Sequence, residues 1–154
     1  MTIHHASCRC GRLSVSCEGE PVRVSVCHCL DCQKRTGSAF SAQARWPEER
    51  VRVSGEAREW VRIADSGRSA TYRFCPECGS TVLYTNEGFP GLVAVPLGAF
   101  AGESADGGTD GGEALPAPGH SVYEHRKVGW VAVLGEGVER SATASVERHR
   151  VEGE

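Results

Sequence analysis

Apolar and polar side chains alternate along the first third of the chain. Leu13, Val15 and Cys17 are interleaved with Arg12, Ser14 and Ser16, and Val22, Val24 and Val26 resume the pattern after a turn at Gly19-Glu20-Pro21. A period of two is that of a strand with one face buried. Further short strands are predicted over Ala39–Trp46, Val51–Val53, Ala57–Ile63, Ala70–Phe74, Thr81–Tyr84 and Leu92–Val95. Turn signals at Pro47-Glu48-Glu49, Ser54-Gly55 and Asp65-Ser66-Gly67 separate them. Only Leu30–Arg35 reads as helix, about two turns at most, with Gly37 placed to end it in a left-handed conformation. The pattern therefore predicts a mainly β protein built from small antiparallel sheets with one short helix.

The pattern weakens beyond residue 100. Gly102 to Gly112 is Gly, Asp, Glu, Ser and Thr with almost nothing apolar, so residues 102–119 are expected to form a mobile loop. His120 to Leu134 regains structure, and residues 136–154 read as a polar tail. A single zinc-binding β domain is expected over residues 1–135. At 154 residues the chain is long enough to bury one core.

The net charge of −3 with scattered Lys and Arg gives no electrostatic footprint for nucleic acid. No window approaches a membrane span, and the amino terminus has neither the basic nor the apolar region of a secretion signal. A cytoplasmic protein is expected. Nothing in the sequence indicates an oligomeric state.

Eight cysteines in a reducing compartment point to metal ligation over disulfides. Cys17 sits on the apolar face of a strand, where a small buried thiol is the ordinary occupant. The other seven fall into three groups: Cys8 with Cys10, Cys27 with Cys29 and Cys32, and Cys75 with Cys78. Cys75-Pro76-Glu77-Cys78-Gly79 has the form of a zinc knuckle. It lacks the helix and βαβ context that a thioredoxin-like redox pair requires. Each two-sulfur knuckle needs a partner, so Cys8 and Cys10 with Cys75 and Cys78 make one closed tetrahedral site. Cys27, Cys29 and Cys32 then form a three-sulfur site whose fourth position is open. Two zinc ions follow. The terminal pair His4 and His5, and His149 in the tail, read as surface residues with no ligand role.

The segments Cys8-Arg9-Cys10-Gly11, Cys27-His28-Cys29-Leu30-Asp31-Cys32-Gln33-Lys34 with Thr36-Gly37, and Phe74-Cys75-Pro76-Glu77-Cys78-Gly79-Ser80 carry a family resemblance. Tyr123-Glu124-His125-Arg126 with Trp130 match more loosely. On these segments the sequence resembles the glutathione-dependent formaldehyde-activating enzymes, a family that includes the centromere protein V type proteins. The resemblance implies a tent-like fold, a structural zinc on Cys8, Cys10, Cys75 and Cys78, and a second zinc on Cys27, Cys29 and Cys32. It also implies a small thiol substrate, glutathione, and an aldehyde joined in a carbon–sulfur lyase type of reaction.

A trithiolate zinc is suited to such chemistry because it takes a further thiol as thiolate near neutral pH. His28, Asp31 and Lys34 are the nearest candidates for proton handling or carboxylate recognition, and Arg126 for gripping a carboxylate. The competing reading is a scaffold module in which both zincs are structural.

Overall fold

A computed structural model describes residues 2–64, 67–102 and 116–143. The strands are β1 (Ile3–Ser7), β2 (Ser14–Glu18), β3 (Arg23–Cys27), β4 (Ser41–Pro47), β5 (Val51–Ser54), β6 (Arg58–Ile63), β7 (Ser69–Phe74), β8 (Thr81–Asn86), β9 (Leu92–Pro96), β10 (His120–Val122) and β11 (Glu139–Arg140). The one α-helix, α1, spans Leu30–Thr36. Most of the loop expected over 102–119 and most of the tail expected over 136–154 lie outside the described residues. No helix among the described residues is long and apolar enough to cross a membrane.

The chain divides into two compact units, one formed by residues 1–22 and 44–116, the other by residues 23–43 and 117–154. The first unit holds two antiparallel arrays. In one, β2 lies between β1 and β5, with Ala6 opposite Val15 and Val15 opposite Val53. This alternation buries Leu13, Val15 and Cys17 completely or nearly so. Strand β1 was not anticipated, because His4 and His5 read as terminal polar residues. His4 is in fact buried, its ring 5.9 Å from Trp46 and 6.4 Å from Phe100, so packing against aromatic rings takes the place of an apolar side chain. The Trp46 indole donates to the Gly19 carbonyl at 2.8 Å, which satisfies its one polar atom in a fully buried position.

In the other array, β6, β7, β8 and β9 follow one another as an antiparallel meander. Trp60 opposes Tyr72 and Tyr72 opposes Tyr84, giving a row of rings at 6.1 and 5.1 Å between centroids. A register shift between Arg73 and Phe74 bends β7 where it leads into Cys75.

The second unit is built on β3, whose five residues are all buried. Its partner β10 runs parallel to it, His120 opposite Ser25 and Val122 opposite Cys27, and β11 lies parallel on the other side of β10. These parallel ladders add to the antiparallel pairing that the strand spacing predicts. Their effect is to bring the carboxyl ends of β3 and β10 side by side, where the Val122 carbonyl accepts the His28 N–H at 3.1 Å.

Candidate metal centres

All eight cysteines are free thiols, and seven gather into two clusters. In the first unit the sulfurs of Cys8, Cys10, Cys75 and Cys78 lie within 4.8 Å of one another. Two tight turns supply them. Gly11, at φ 84°, closes the first by donating its N–H to the Cys8 carbonyl. Gly79, at φ 77°, closes the second by donating to the Cys75 carbonyl at 2.9 Å. Backbone N–H groups point back at sulfur, from Leu13 to Cys8 at 3.2 Å and from Glu77 to Cys75 at 3.4 Å. Such donors favour thiolate over thiol.

In the second unit the sulfurs of Cys27, Cys29 and Cys32 meet the same criterion. Cys27 ends β3 and Cys29 is the N-cap of α1, its sulfur accepting the Cys32 N–H at 3.3 Å. Cys32 follows one turn later. The helix stops where Gly37 turns left-handed at φ 70° and donates to the Gln33 carbonyl.

In each cluster some thiols are pushed down and others up. Hydrogen bonds from Cys27 and Cys29, helped by the Ser41 hydroxyl, push Cys32 down to about 2 against the cost of burial. Cys27 is pushed up by its hydrogen bonds with Cys29 and Cys32 and by burial. In the other cluster the Ser80 hydroxyl and backbone hold Cys78 at about 5. The Arg12 backbone draws Cys10 down, but burial and its three sulfur neighbours raise it to about 11. A second thiolate beside the first is disfavoured unless a cation joins them.

The donor sets fit a metal ion. Sulfurs 2.3 Å from a tetrahedral zinc stand about 3.8 Å apart, and the Cys8–Cys10 and Cys10–Cys75 sulfurs are 3.6 Å apart. Cys17 belongs to neither cluster. Burial pushes its thiol up to about 12, so it remains a packed, protonated side chain.

The other expected site residues are distributed unevenly. His28 is fully buried, with Nε2 2.9 Å from the Ser121 hydroxyl, and burial lowers its pKa, so the ring is neutral. Asp31 is half-buried in the first turn of α1, while Lys34 is exposed near its end. Arg126 is exposed in a 3₁₀ turn spanning Glu124–Arg126, and its carbonyl accepts a bond from Gln33 Nε2 at 3.3 Å. Gln33 Nε2 also donates to the His28 carbonyl at 2.9 Å, tying that turn and the Cys27–Cys29 segment to one side chain.

Gln33 and Ser121 were not singled out from the sequence. Ser121 is separated from His28 by 93 positions and carries no local signal. Tyr123, next along, is the one non-glycine residue among those described with positive φ, 56°. Such strain persists only where surrounding contacts impose it.

A family model described as glutathione-dependent formaldehyde-activating enzyme matches residues 3–109. Among solved structures, a Rhodobacter sphaeroides protein from a structural-genomics programme is similar at 18% identity. The match has a TM-score of 0.50 and covers 66% of this chain and 92% of that one. That likeness concerns the fold alone. No curated protein matches the chain.

Proposed function

The chain belongs to the glutathione-dependent formaldehyde-activating enzyme family, and on that premise we propose that it joins a small thiol, glutathione, to formaldehyde or a related small aldehyde, with zinc at both cysteine clusters. The difference in donor number carries this reading. Four sulfurs complete a tetrahedron at one cluster, whereas Cys27, Cys29 and Cys32 have no fourth Cys, His, Asp or Glu atom grouped with them among the described residues. The nearest candidate, His28, is turned to Ser121 instead.

A zinc ion held by these three sulfurs would supply a Lewis-acid centre that favours the thiolate form of a substrate thiol near neutral pH. The chain's own residues do the rest. Cys27, Cys29 and Cys32 hold the ion, and His28 fixes the segment that carries the first two through its ring bond to Ser121 and its backbone bond to Val122. Lys34 and Arg126 are the cations available for substrate carboxylates, and Asp31, between two ligands in sequence, is the carboxylate placed to carry a proton. The substrate sulfur attacks the aldehyde carbon, a C–S bond forms, and the carbonyl electron pair moves to oxygen. That oxygen takes the proton released by the thiol. The product is a hemithioacetal, and the reverse reaction breaks the C–S bond. A reducing cytoplasm, where small thiols are abundant, is the fitting compartment.

The test is glutathione titration by calorimetry into zinc-loaded protein, with zinc stoichiometry measured alongside. Wild type is expected to bind two zinc ions and the thiol. Cys29→Ser is expected to keep its fold and one zinc while losing thiol binding. Thiol binding that survives in Cys29→Ser contradicts the proposal.

A further inference from the structure

The outer edge of the β6–β9 meander lacks the usual safeguards against pairing with another chain. Among the described residues β6 has β7 as its one strand neighbour. An edge strand ordinarily guards its backbone with a Pro, a bulge, short length or a row of like charges. β6 instead runs in regular register against β7 over all six of its residues, Arg58 to Ile63, and its charges are of both signs. Trp60, Val61 and Ile63 are 55%, 52% and 64% exposed. Apolar side chains therefore stand in the open on both faces of the strand, Trp60 on the face of Tyr72 and Val61 with Ile63 on the other.

The phase of the ladder decides which backbone groups face outward. At the hairpin the Ala64 N–H donates to the Arg68 carbonyl at 2.9 Å, in the register that the strand pairs continue. Hydrogen-bonded and non-hydrogen-bonded pairs alternate along an antiparallel ladder. Arg62 and Trp60 thus take the bonded positions opposite Ala70 and Tyr72, and the N–H and C=O groups of Glu59, Val61 and Ile63 point away from β7.

A second copy of the same strand completes this edge. A two-fold axis normal to the sheet leaves each face on its own side, so antiparallel self-pairing must centre on a residue. Centring on Val61 places it opposite Val61 of the second copy, with Glu59 opposite Ile63 and Trp60 opposite Arg62. The three outward residues then pair only with one another, and every donor and acceptor they present is used. Trp60 and Arg62 fall at non-hydrogen-bonded positions, where opposed side chains approach most closely and a guanidinium reaches an indole face. Centring on Trp60 instead sets Arg58 against Arg62 and carries Ile63 past the end of the facing strand.

We propose that β6 is a homodimer interface, formed by antiparallel pairing of two copies about a two-fold axis at Val61. Neither the cysteine clusters nor the reaction enters into this pairing. A single strand pair makes a small interface, so association in the micromolar range is expected.

Sedimentation equilibrium of the zinc-loaded full chain, over concentrations from about 1 to 500 μM, tests this. Wild type is expected to pass from monomer to dimer across that range. Val61→Lys sets two ammonium groups against each other at the axis and is expected to weaken association by about tenfold or more, and Val61→Glu does the same with carboxylates. An equal mixture of the two variants is expected to restore dimers, because only a residue that faces itself across the axis gains from opposite charges. Zinc content and far-UV spectrum, expected to match wild type in both variants, report the fold. Wild type that stays monomeric, a dimer indifferent to both substitutions, or a mixture no more associated than its parts overturns the pairing. So does a Val61→Lys variant that associates more tightly than wild type, the result expected if Val61 faced Glu59 across an axis at Trp60.

Discussion

The two cysteine clusters use the same ligand type and differ in what surrounds it. The four-sulfur cluster is assembled from two turns far apart in sequence, Cys8 with Cys10 and Cys75 with Cys78, and its four sulfurs match the ligand count of a tetrahedral zinc site. A metal held there would have no vacancy and would act as a clamp in the way a disulfide does. The three-sulfur cluster is local, spanning the end of β3 and the first turn of α1. What holds it is a set of hydrogen bonds to its flanks, His28 to Ser121 and Gln33 to the His28 and Arg126 carbonyls. Closure from distant parts of the chain suits a structural site. A local cluster braced from behind is free to present an open face.

The contrast predicts unequal consequences of losing a ligand. Cys75→Ser is expected to cost several kcal/mol and to unfold much of the first unit, because it removes a donor from a cross-link that the unfolded chain lacks. Thermal unfolding with and without a chelator checks this, and a midpoint like that of wild type would dissolve the distinction between the clusters. Cys29→Ser is expected to lower kcat/KM for hemithioacetal formation by about 100-fold or more while the far-UV spectrum stays native.

Two glycines sharpen the comparison. A Cβ on Gly55, at φ 99°, would stand 1.9 Å from the Arg12 carbonyl oxygen, in the loop that carries Cys8 and Cys10. Gly55→Ala is therefore expected to destabilise the protein by about 3 kcal/mol, a backbone clash added to left-handed strain. Gly37, which ends α1, has open space around its Cβ position. Gly37→Ala is expected to cost only about 1 kcal/mol, from strain alone. Urea titration of both variants gives the ranking directly, and equal losses would place the two sites on the same structural footing.

The second unit also carries a pH signature. Burial opposes the ionisation of Glu124, but hydrogen bonds from Ser121 and Arg140 and the Lys127 ammonium hold its carboxyl down at about 2. Arg140 Nη1 and Lys127 Nζ lie 2.9 and 3.2 Å from its oxygens. A lowered folded-state pKa stabilises the protein above the unfolded value of 4.5, and that stabilisation is lost as pH falls from 4.5 toward 2. After a discount for solvent screening of the ion pairs, the expected contribution is about 2 kcal/mol. Glu124→Gln should flatten the dependence of stability on pH in that window, as chemical denaturation at stepped pH would show.

Much of this arrangement was legible in the sequence, and the exceptions share a cause. Strand alternation placed Leu13, Val15 and Cys17 inward, cysteine counting grouped the seven ligand candidates as the structure groups them, and Gly37 marked the end of α1. Strand β1 escaped notice because a buried His4 looks polar until Trp46 and Phe100 are seen packing on it. The parallel pairing of β10 with β3 joins segments more than 90 positions apart, beyond the reach of any local pattern. Ser121 likewise reads as an ordinary strand polar, since only tertiary contact shows what it bonds.

The open position proposed for the three-sulfur site is tested most directly by zinc K-edge absorption on fully loaded protein, measured with and without glutathione. The average number of sulfurs per zinc is predicted to rise when the thiol is added to wild type and to stay constant in Cys29→Ser. A sulfur count in wild type that ignores the thiol would show that the fourth position is already filled, and would contradict the account.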